Sequence, residues 1–158
     1  MKTIFASIGA LAIIQTAAAT DVSVYYSTDF AEELRENYGE REGAVLTDEI
    51  VKDLNKAFAE YGRGPARVVI MINDAKPNRP TREQQRNKPG LDGFRSISIG
   101  GMDLTGTAYD ADGNIIGELS YDWYETDIRS AAPAGTWSDA GHASNKFARK
   151  LAKQLQED

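Results

Sequence analysis

The chain has 158 residues, of which 41% are hydrophobic and 27% charged, and its formal net charge is −6 at pH 7. This length and composition predict one globular domain, and they exclude whole-chain disorder and a multi-span membrane protein. The chain contains no cysteine and one histidine, His142. Disulfides, thiolate metal sites, cysteine nucleophiles and zinc sites with several histidines are therefore excluded.

The first 19 residues have the order of a secretory signal peptide. Lys2 gives a positive start, an apolar stretch follows, and Ala17-Ala18-Ala19 offers a small-residue cleavage site. The apolar stretch is shorter than the roughly 20 residues that a membrane-spanning helix needs. We expect cleavage after Ala19 and a soluble exported domain over residues 20–158, with no stable membrane insertion after signal cleavage. The periplasm is the favoured location, and secretion is the alternative.

The spacing of apolar residues predicts the secondary structure. The first expected elements are a strand over Val22–Ser27, a short helix capped at Asp29 that carries Phe30, Leu34 and Tyr38, and a loop over Tyr38–Gly43. A longer helix follows from Thr47 or Asp48 to Tyr61. Three strands come next, over Arg67–Asp74, Ser96–Tyr109 and Ile115–Tyr124, and a final helix begins at Thr136 or Ser138. A phase change at Gly100-Gly101 predicts a β-bulge, and Asp110–Gly113 predicts a hairpin turn.

The expected fold class is α/β (α+β), with the element order β-α-β-β-β-α. A strand, a helix and a second strand predict a right-handed parallel crossover, and the continuous β-branched run in the second strand predicts cover on both of its faces, or nearly so. The later hairpin adds antiparallel strands, which gives a mixed four-stranded sheet with two amphipathic helices on one face. The predicted core comprises Leu54, Phe58, Val68, Ile70, Leu119, Trp123, Trp137, Phe147 and Leu151.

Four motifs carry a resemblance to a group of uncharacterised exported bacterial domains. They are Asp74-Ala75-Lys76-Pro77-Asn78-Arg79-Pro80-Thr81, Pro89-Gly90-Leu91, Ile99-Gly100-Gly101 and Thr136-Trp137-Ser138-Asp139-Ala140. The resemblance covers roughly Val22 to Leu155 and implies no known activity. The element order is also similar to periplasmic lipoprotein domains of the curli-secretion and TolB amino-terminal kind, which implies an envelope assembly or binding role. This chain lacks the cysteine that carries the lipid in those lipoproteins.

The segment 76–88 is the candidate partner-binding site. It has no apolar residue apart from two prolines, so the sequence predicts a solvated loop with no role in the core. Five bases in this acidic chain predict contact with an unknown envelope protein, an acidic polymer or lipid headgroups, although a plain connector would have the same composition. The bases are Lys76, Arg79, Arg82, Arg86 and Lys88. No aromatic residue interleaves them, so nucleic acid is not an expected partner.

Two other functions remain open from the sequence. A small periplasmic hydrolase would use His142 with Ser138, Asp139 or Ser144, but the strand-turn-helix elbow of the G-x-S-x-G kind is missing. A ligand-binding module would instead use exposed aromatics on the second face of the sheet. These are Tyr25, Tyr26 and Tyr124, with only one of the two neighbouring tyrosines expected on that face. We therefore assign no catalytic residue.

The turn around Asp110, Asp112 and Asn114 resembles part of a calcium loop, but it lacks the remaining oxygen ligands and the terminal bidentate glutamate. We expect no metal and no cofactor. The leading hypothesis is an exported, non-enzymatic domain that binds a partner or assembles in the envelope through residues 76–88.

Overall fold

The computed structural model describes residues 19–62, 64–131 and 135–157. The strands are β1 (Asp21–Tyr26), β2 (Arg67–Lys76), β3 (Gly101–Tyr109) and β4 (Ile115–Tyr124). The helices are α1 (Thr28–Glu33), α2 (Glu40–Glu60), α3 (Arg82–Asn87) and α4 (Ser138–Glu157), with a π-helical turn at Leu34–Tyr38 and a 3₁₀ turn at Ile128–Ala131. The predicted signal peptide, except Ala19, lies outside the described residues. Among the helices that are described, none is long and apolar enough to cross a membrane.

The four strands form one mixed sheet in the order β1-β2-β3-β4. Strand β1 runs parallel to β2, whereas the β2–β3 and β3–β4 pairs are antiparallel. The parallel pair requires a crossover connection, and α2 supplies it. The core lies between the sheet and the long helices α2 and α4. The predicted α+β class with a mixed four-stranded sheet is confirmed.

Strand β2 is covered fully on one face only, which corrects the expectation of cover on both faces. Val68, Ile70 and Ile72 are fully buried in the core, whereas Val69 and Met71 point to the other face and are half-buried. Alternate residues of a strand face opposite sides of a sheet. A continuous run of β-branched residues therefore fits this half-covered strand as well as one between two layers of helices.

Helix α2 begins at Glu40 and not at Thr47 or Asp48, so the predicted loop over Tyr38–Gly43 is wrong. Gly39, with φ of +98°, ends the π-helical turn and α2 starts directly after it. Gly43 is buried within α2, where a Cβ atom would approach the Tyr26 hydroxyl to 2.9 Å. Gly43, which has no side chain, thus permits α2 to pack closely against Tyr26. The first helix also begins earlier than predicted, because Ser27 rather than Asp29 caps it.

Strand β3 begins at Gly101, so the predicted strand over 96–100 and the bulge at Gly100-Gly101 are both wrong. The irregularities in the ladders lie between Ile72 and Asp74 and between Ala108 and Tyr109. Gly100 instead permits close approach to another segment, since a Cβ atom there would lie 2.6 Å from the Lys76 carbonyl oxygen. The glycine pair therefore marks a crowded junction at the start of the strand.

The core prediction is largely confirmed. Of the nine predicted residues, six are buried, and Leu119, Trp123 and Trp137 are half-buried against the same cluster. Phe147 of α4 is fully buried and packs over Gly106 of β3, where an added Cβ would lie 2.6 Å from the Phe147 ring. Helix α4 therefore docks on the sheet by placing a large aromatic ring over a glycine.

Candidate partner-binding site

The predicted solvated loop over 76–88 is partly buried, and this corrects the sequence expectation. Pro77 and Thr81 are buried, and Asn78 has no exposed surface. Asn78 Oδ1 accepts a hydrogen bond from the backbone N–H of Asp139 at 2.9 Å, while its Nδ2 donates to the Asp139 carboxylate. The same carboxylate accepts from the Gly100 N–H at 3.0 Å. Because every polar group in this junction has a partner, polar side chains can be buried there.

Helix α3, inside the same segment, was not predicted. Its first turn has a capping box, in which the Gln84 N–H donates to Thr81 Oγ1 at 3.2 Å and the Thr81 N–H donates to Gln84 Oε1 at 3.0 Å. Arg82 and Arg86 are four residues apart and therefore share one helix face. The buried cap fixes the start of α3, and this spacing places the two arginines one helical turn apart on the same face.

Arg82 and Arg86 meet two further arginines around one cleft of about 440 Å³, which we call the arginine cleft. Arg35 comes from the π-helical turn and Arg41 from the start of α2. The described lining residues are Arg35, Tyr38, Gly39, Glu40, Arg41, Glu42, Arg82, Glu83 and Arg86. Arg35 and Arg41 were missed by the sequence reasoning, because each stands beside acidic residues and the chain between them was interpreted as a loop.

The charges of the arginine cleft are only partly paired. Arg86 pairs with Glu83 at 3.3 Å, and Glu42 accepts a hydrogen bond from the Trp137 indole at 2.7 Å. Arg41 and Arg82 make no ion pair or side-chain hydrogen bond with the residues that the structure describes, and both are exposed. The cleft therefore presents guanidinium groups that remain available to an external anion.

A second cleft, of about 340 Å³, includes Gln84 of α3 in its lining, and we call it the apolar cleft. Its described lining combines two bases with apolar and small polar residues: Tyr38, Lys76, Pro77, Arg79, Pro80, Gln84, Leu91, Ser96, Ile97, Ser98 and Ile99. Tyr38 lines both clefts. The Tyr38 side chain therefore stands between the two clefts.

The five predicted bases divide into different roles. Arg82 and Arg86 converge on the arginine cleft, whereas Lys76 lies over the Tyr124 ring, with Nζ 5.3 Å from the ring centroid. Arg79 is half-buried, and its guanidinium donates to the backbone carbonyls of Gly93 and Phe94. Lys88 follows the last residue of α3 and is exposed. The prediction that all five bases are free of a role in the fold is therefore wrong for Arg79.

The pKa of Tyr38, which lines both clefts, lies above the ordinary value of a tyrosine. Burial, together with the negative charges of Glu33 and Asp74, raises the pKa of Tyr38 from 10.0 to about 12. The folded state thus favours the neutral phenol, and this contribution to stability is present below pH 10.0 and is lost as pH rises towards about 12.

We predict that the phenol of Tyr38 ionises near pH 12. The measurement is a spectrophotometric titration of the wild type and of Tyr38→Phe, in which the difference between the two curves reports Tyr38 alone. A difference that appears near pH 10.0 would contradict this environment of Tyr38.

The residues of the hydrolase hypothesis are held apart by different partners. Ser138 Oγ accepts from the Gly135 N–H at 2.7 Å, and Ser144 Oγ donates to Asp53 at 2.8 Å across the α2–α4 contact. Asp139 belongs to the buried junction with Asn78. His142 is exposed, and its ring lies 4.8 Å from the Trp123 ring. The predicted constellation therefore has no nucleophile–base hydrogen bond.

A third cavity, of about 410 Å³, lies between α2 and α4 near Ser138. Its described lining is Val45, Leu46, Glu49, Met102, Trp137, Ser138 and Gly141. Only Glu49 and Ser138 contribute charged or hydroxyl groups, and His142 is not part of this lining. The cavity does not bring the histidine towards a serine and so does not support the hydrolase alternative.

The three tyrosines of the ligand-face hypothesis do not form one surface. Tyr26 turns to the core side, where its ring packs edge-on against Phe30 at 5.9 Å and its hydroxyl bonds Thr47. Tyr25 is 55% exposed on β1, at one edge of the sheet. Tyr124 lies on β4, at the opposite edge, and its hydroxyl donates to Asp74 at 2.8 Å. Burial and this hydrogen bond raise the pKa of Tyr124.

The hairpin turn between β3 and β4 is confirmed, with Gly113 at φ of +87°. Asp110 Oδ1 accepts from the N–H groups of Asp112 and Asn114, and its Oδ2 accepts from the Asn114 side chain. The hydrogen bonds from the Asn114 side chain and backbone lower the pKa of Asp110. Both carboxylate oxygens therefore serve the turn itself. Within the described residues, no group of three or more acidic or histidine side chains could hold a metal ion.

No family model and no curated protein matches the chain. Among solved structures, the chain is similar to a minor lipoprotein from Acinetobacter baumannii, with 12% identity, 88% of this chain and 93% of that chain covered, and a TM-score of 0.39. It is also similar to a candidate lipoprotein from Caulobacter crescentus CB15, with 17% identity, 86% of this chain and 88% of that chain covered, and a TM-score of 0.37. The resemblance to the curli-secretion and TolB amino-terminal domains is untested by these comparisons and stays a prediction.

Proposed function

We propose that the chain is an exported, non-enzymatic binding domain whose arginine cleft and α3 contact an acidic partner, which is an envelope protein, an acidic polymer or anionic lipid headgroups. The observation that carries this proposal is the convergence of Arg35, Arg41, Arg82 and Arg86 around one cleft. A guanidinium group offers two parallel N–H donors to a carboxylate or phosphate, so a cluster of arginines is suited to polyanions.

The support for α3 favours binding over a connecting role. Two buried residues, Asn78 and Thr81, fix the start of the helix, and Arg82 and Arg86 project from it at a spacing of one helical turn. Groups that are held in place before binding lose less conformational entropy when the partner arrives. A connector that only joined β2 to β3 would gain nothing from this arrangement.

The test compares two double variants that remove equal charge. Arg82→Ser with Arg86→Ser changes the arginine cleft, whereas Lys56→Ser with Arg149→Ser changes exposed bases on α2 and α4. We expect the first pair to weaken binding of poly-L-glutamate about thirtyfold, on the order of 1 kcal/mol for each of the two charge-assisted contacts, and the control pair to have little effect. Wild-type binding should fall as salt concentration rises. Equal affinity of the cleft variant and the wild type would overturn the proposal.

Arg79 is left out of this variant on purpose. Because its guanidinium donates hydrogen bonds to the carbonyls of Gly93 and Phe94, a change there would disturb the neighbouring loop as well as the charge.

The proposed export has a separate test, in which intact-mass analysis of the exported protein should give a product that begins at Thr20. A product that begins at Met1 and sediments with membranes would contradict cleavage.

A further inference from the structure

The loop that follows α3 exposes apolar side chains beside the basic residues. Phe94 is 91% exposed, and Ile97 and Ile99 are 39% and 42% exposed. A cluster of exposed apolar residues on a soluble domain marks an interaction surface, whereas single exposed residues need no explanation. These three residues lie within six positions of one another, in a segment that forms neither helix nor strand.

Hydrogen bonds hold this loop together and tie it to the segment that leads into α3. Asp92 Oδ1 accepts from the N–H groups of Phe94 and Arg95 at 2.7 and 2.9 Å, which fixes the tight turn at the tip. The Arg79 guanidinium donates to the Phe94 carbonyl, and Gly93 lies close to the Gln85 side chain of α3. The backbone at Phe94 is therefore held close to the helix that carries Arg82 and Arg86.

Building on the proposed function, we infer that the acidic partner is the surface of an anionic lipid bilayer, on which the arginines contact phosphate groups while Phe94 enters the interface. An acidic polymer could bind the arginines, but it has no apolar region that an exposed aromatic ring could enter. A bilayer surface offers both, because apolar and aromatic side chains lie at the headgroup boundary and adjacent bases are attracted to anionic lipids. This association is peripheral and requires no membrane-spanning segment.

The net negative charge of the chain restricts which face can approach such a surface. Electrostatic interactions are screened over about 8–10 Å at physiological salt, so the local charge at the contact decides attraction or repulsion. The segment from α3 to the apolar loop, residues 82–95, carries four bases, Arg82, Arg86, Lys88 and Arg95, against two acids, Glu83 and Asp92. The remainder of the chain is acidic enough to give the net charge of −6. Attraction at this one face and repulsion elsewhere would orient the domain on the bilayer.

The experiment measures co-sedimentation of the exported protein with vesicles of equimolar phosphatidylglycerol and phosphatidylcholine, and with vesicles of phosphatidylcholine alone. We expect binding to the anionic vesicles only, and roughly tenfold weaker binding after Phe94→Ser, since the variant loses an apolar contact of a whole ring. Arg82→Ser with Arg86→Ser should weaken it at least as much. Tyr25→Ser is the matched control, because Tyr25 is also exposed but lies on β1.

A parallel titration with poly-L-glutamate separates the two proposals. If the wild type binds poly-L-glutamate through Arg82 and Arg86 but not the anionic vesicles, the lipid inference is overturned and the proposed function stands with a protein or polymer as partner. The lipid inference is also overturned if Phe94→Ser and Tyr25→Ser bind the anionic vesicles equally well. If the wild type binds neither probe, both proposals are overturned.

Discussion

Replacing Phe147 with alanine should lower the free energy of unfolding by about 3–5 kcal/mol, which is the usual cost of truncating a fully buried aromatic side chain. Phe147 has no exposed surface, and its ring occupies the space over Gly106 that any larger residue on β3 would fill. The cavity left by the change cannot collapse easily, because the sheet lies beneath it. Equilibrium denaturation in urea provides the measurement.

Phe94→Ala is the matched control for this prediction, since the same side chain is removed from a position that is 91% exposed. We expect a change of no more than about 0.5 kcal/mol, as is usual for surface substitutions. A loss below about 1 kcal/mol for Phe147→Ala would mean that α4 does not dock on the sheet through this ring.

Replacing Asn78 with alanine should destabilise the fold by about 3 kcal/mol or more, because a buried carboxylate loses its side-chain donor. The Asp139 carboxylate would retain the Gly100 N–H, while the Asp139 N–H would lose its acceptor. Three segments meet at this junction: the end of β2, the approach to β3 and the start of α4. Loss of the asparagine should therefore loosen all three together, which amide hydrogen exchange would detect.

Asn87→Ala is the control for Asn78→Ala. Asn87 is exposed at the end of α3 and makes one side-chain hydrogen bond, to Glu83 at 3.2 Å. Its replacement should change the free energy of unfolding by about 0.5 kcal/mol or less. Similar losses for the two variants would contradict a special role for the buried junction.

The sheet and the long helices could be predicted because their apolar residues repeat with the periods of strands and helices. The stripes that include Leu54, Val68 and Leu151 need no knowledge of the rest of the chain. The start of α2 could not be predicted in this way, because Gly39 and Gly43 are typical of loops when they are considered locally. Their actual roles, a sharp change of direction and close packing on Tyr26, depend on contacts between distant segments.

The candidate site was only half predictable. The concentration of bases in 76–88 is visible in the sequence, and two of these bases, Arg82 and Arg86, are exposed in the structure. Local composition cannot indicate that Asn78 is buried, since its partner Asp139 lies 61 positions away. It also cannot indicate that Arg35 and Arg41 join the same cleft, because their approach to α3 depends on the packing of the π-helical turn and α2.

The most direct test of the central claim is amide chemical-shift mapping of the exported protein during titration with poly-L-glutamate. We predict that the largest shifts fall on residues 35–42 and 82–86, which contain the lining of the arginine cleft, and that Arg82→Ser with Arg86→Ser removes them. Largest shifts around His142, or around Tyr25 on the open face of the sheet, would contradict the account.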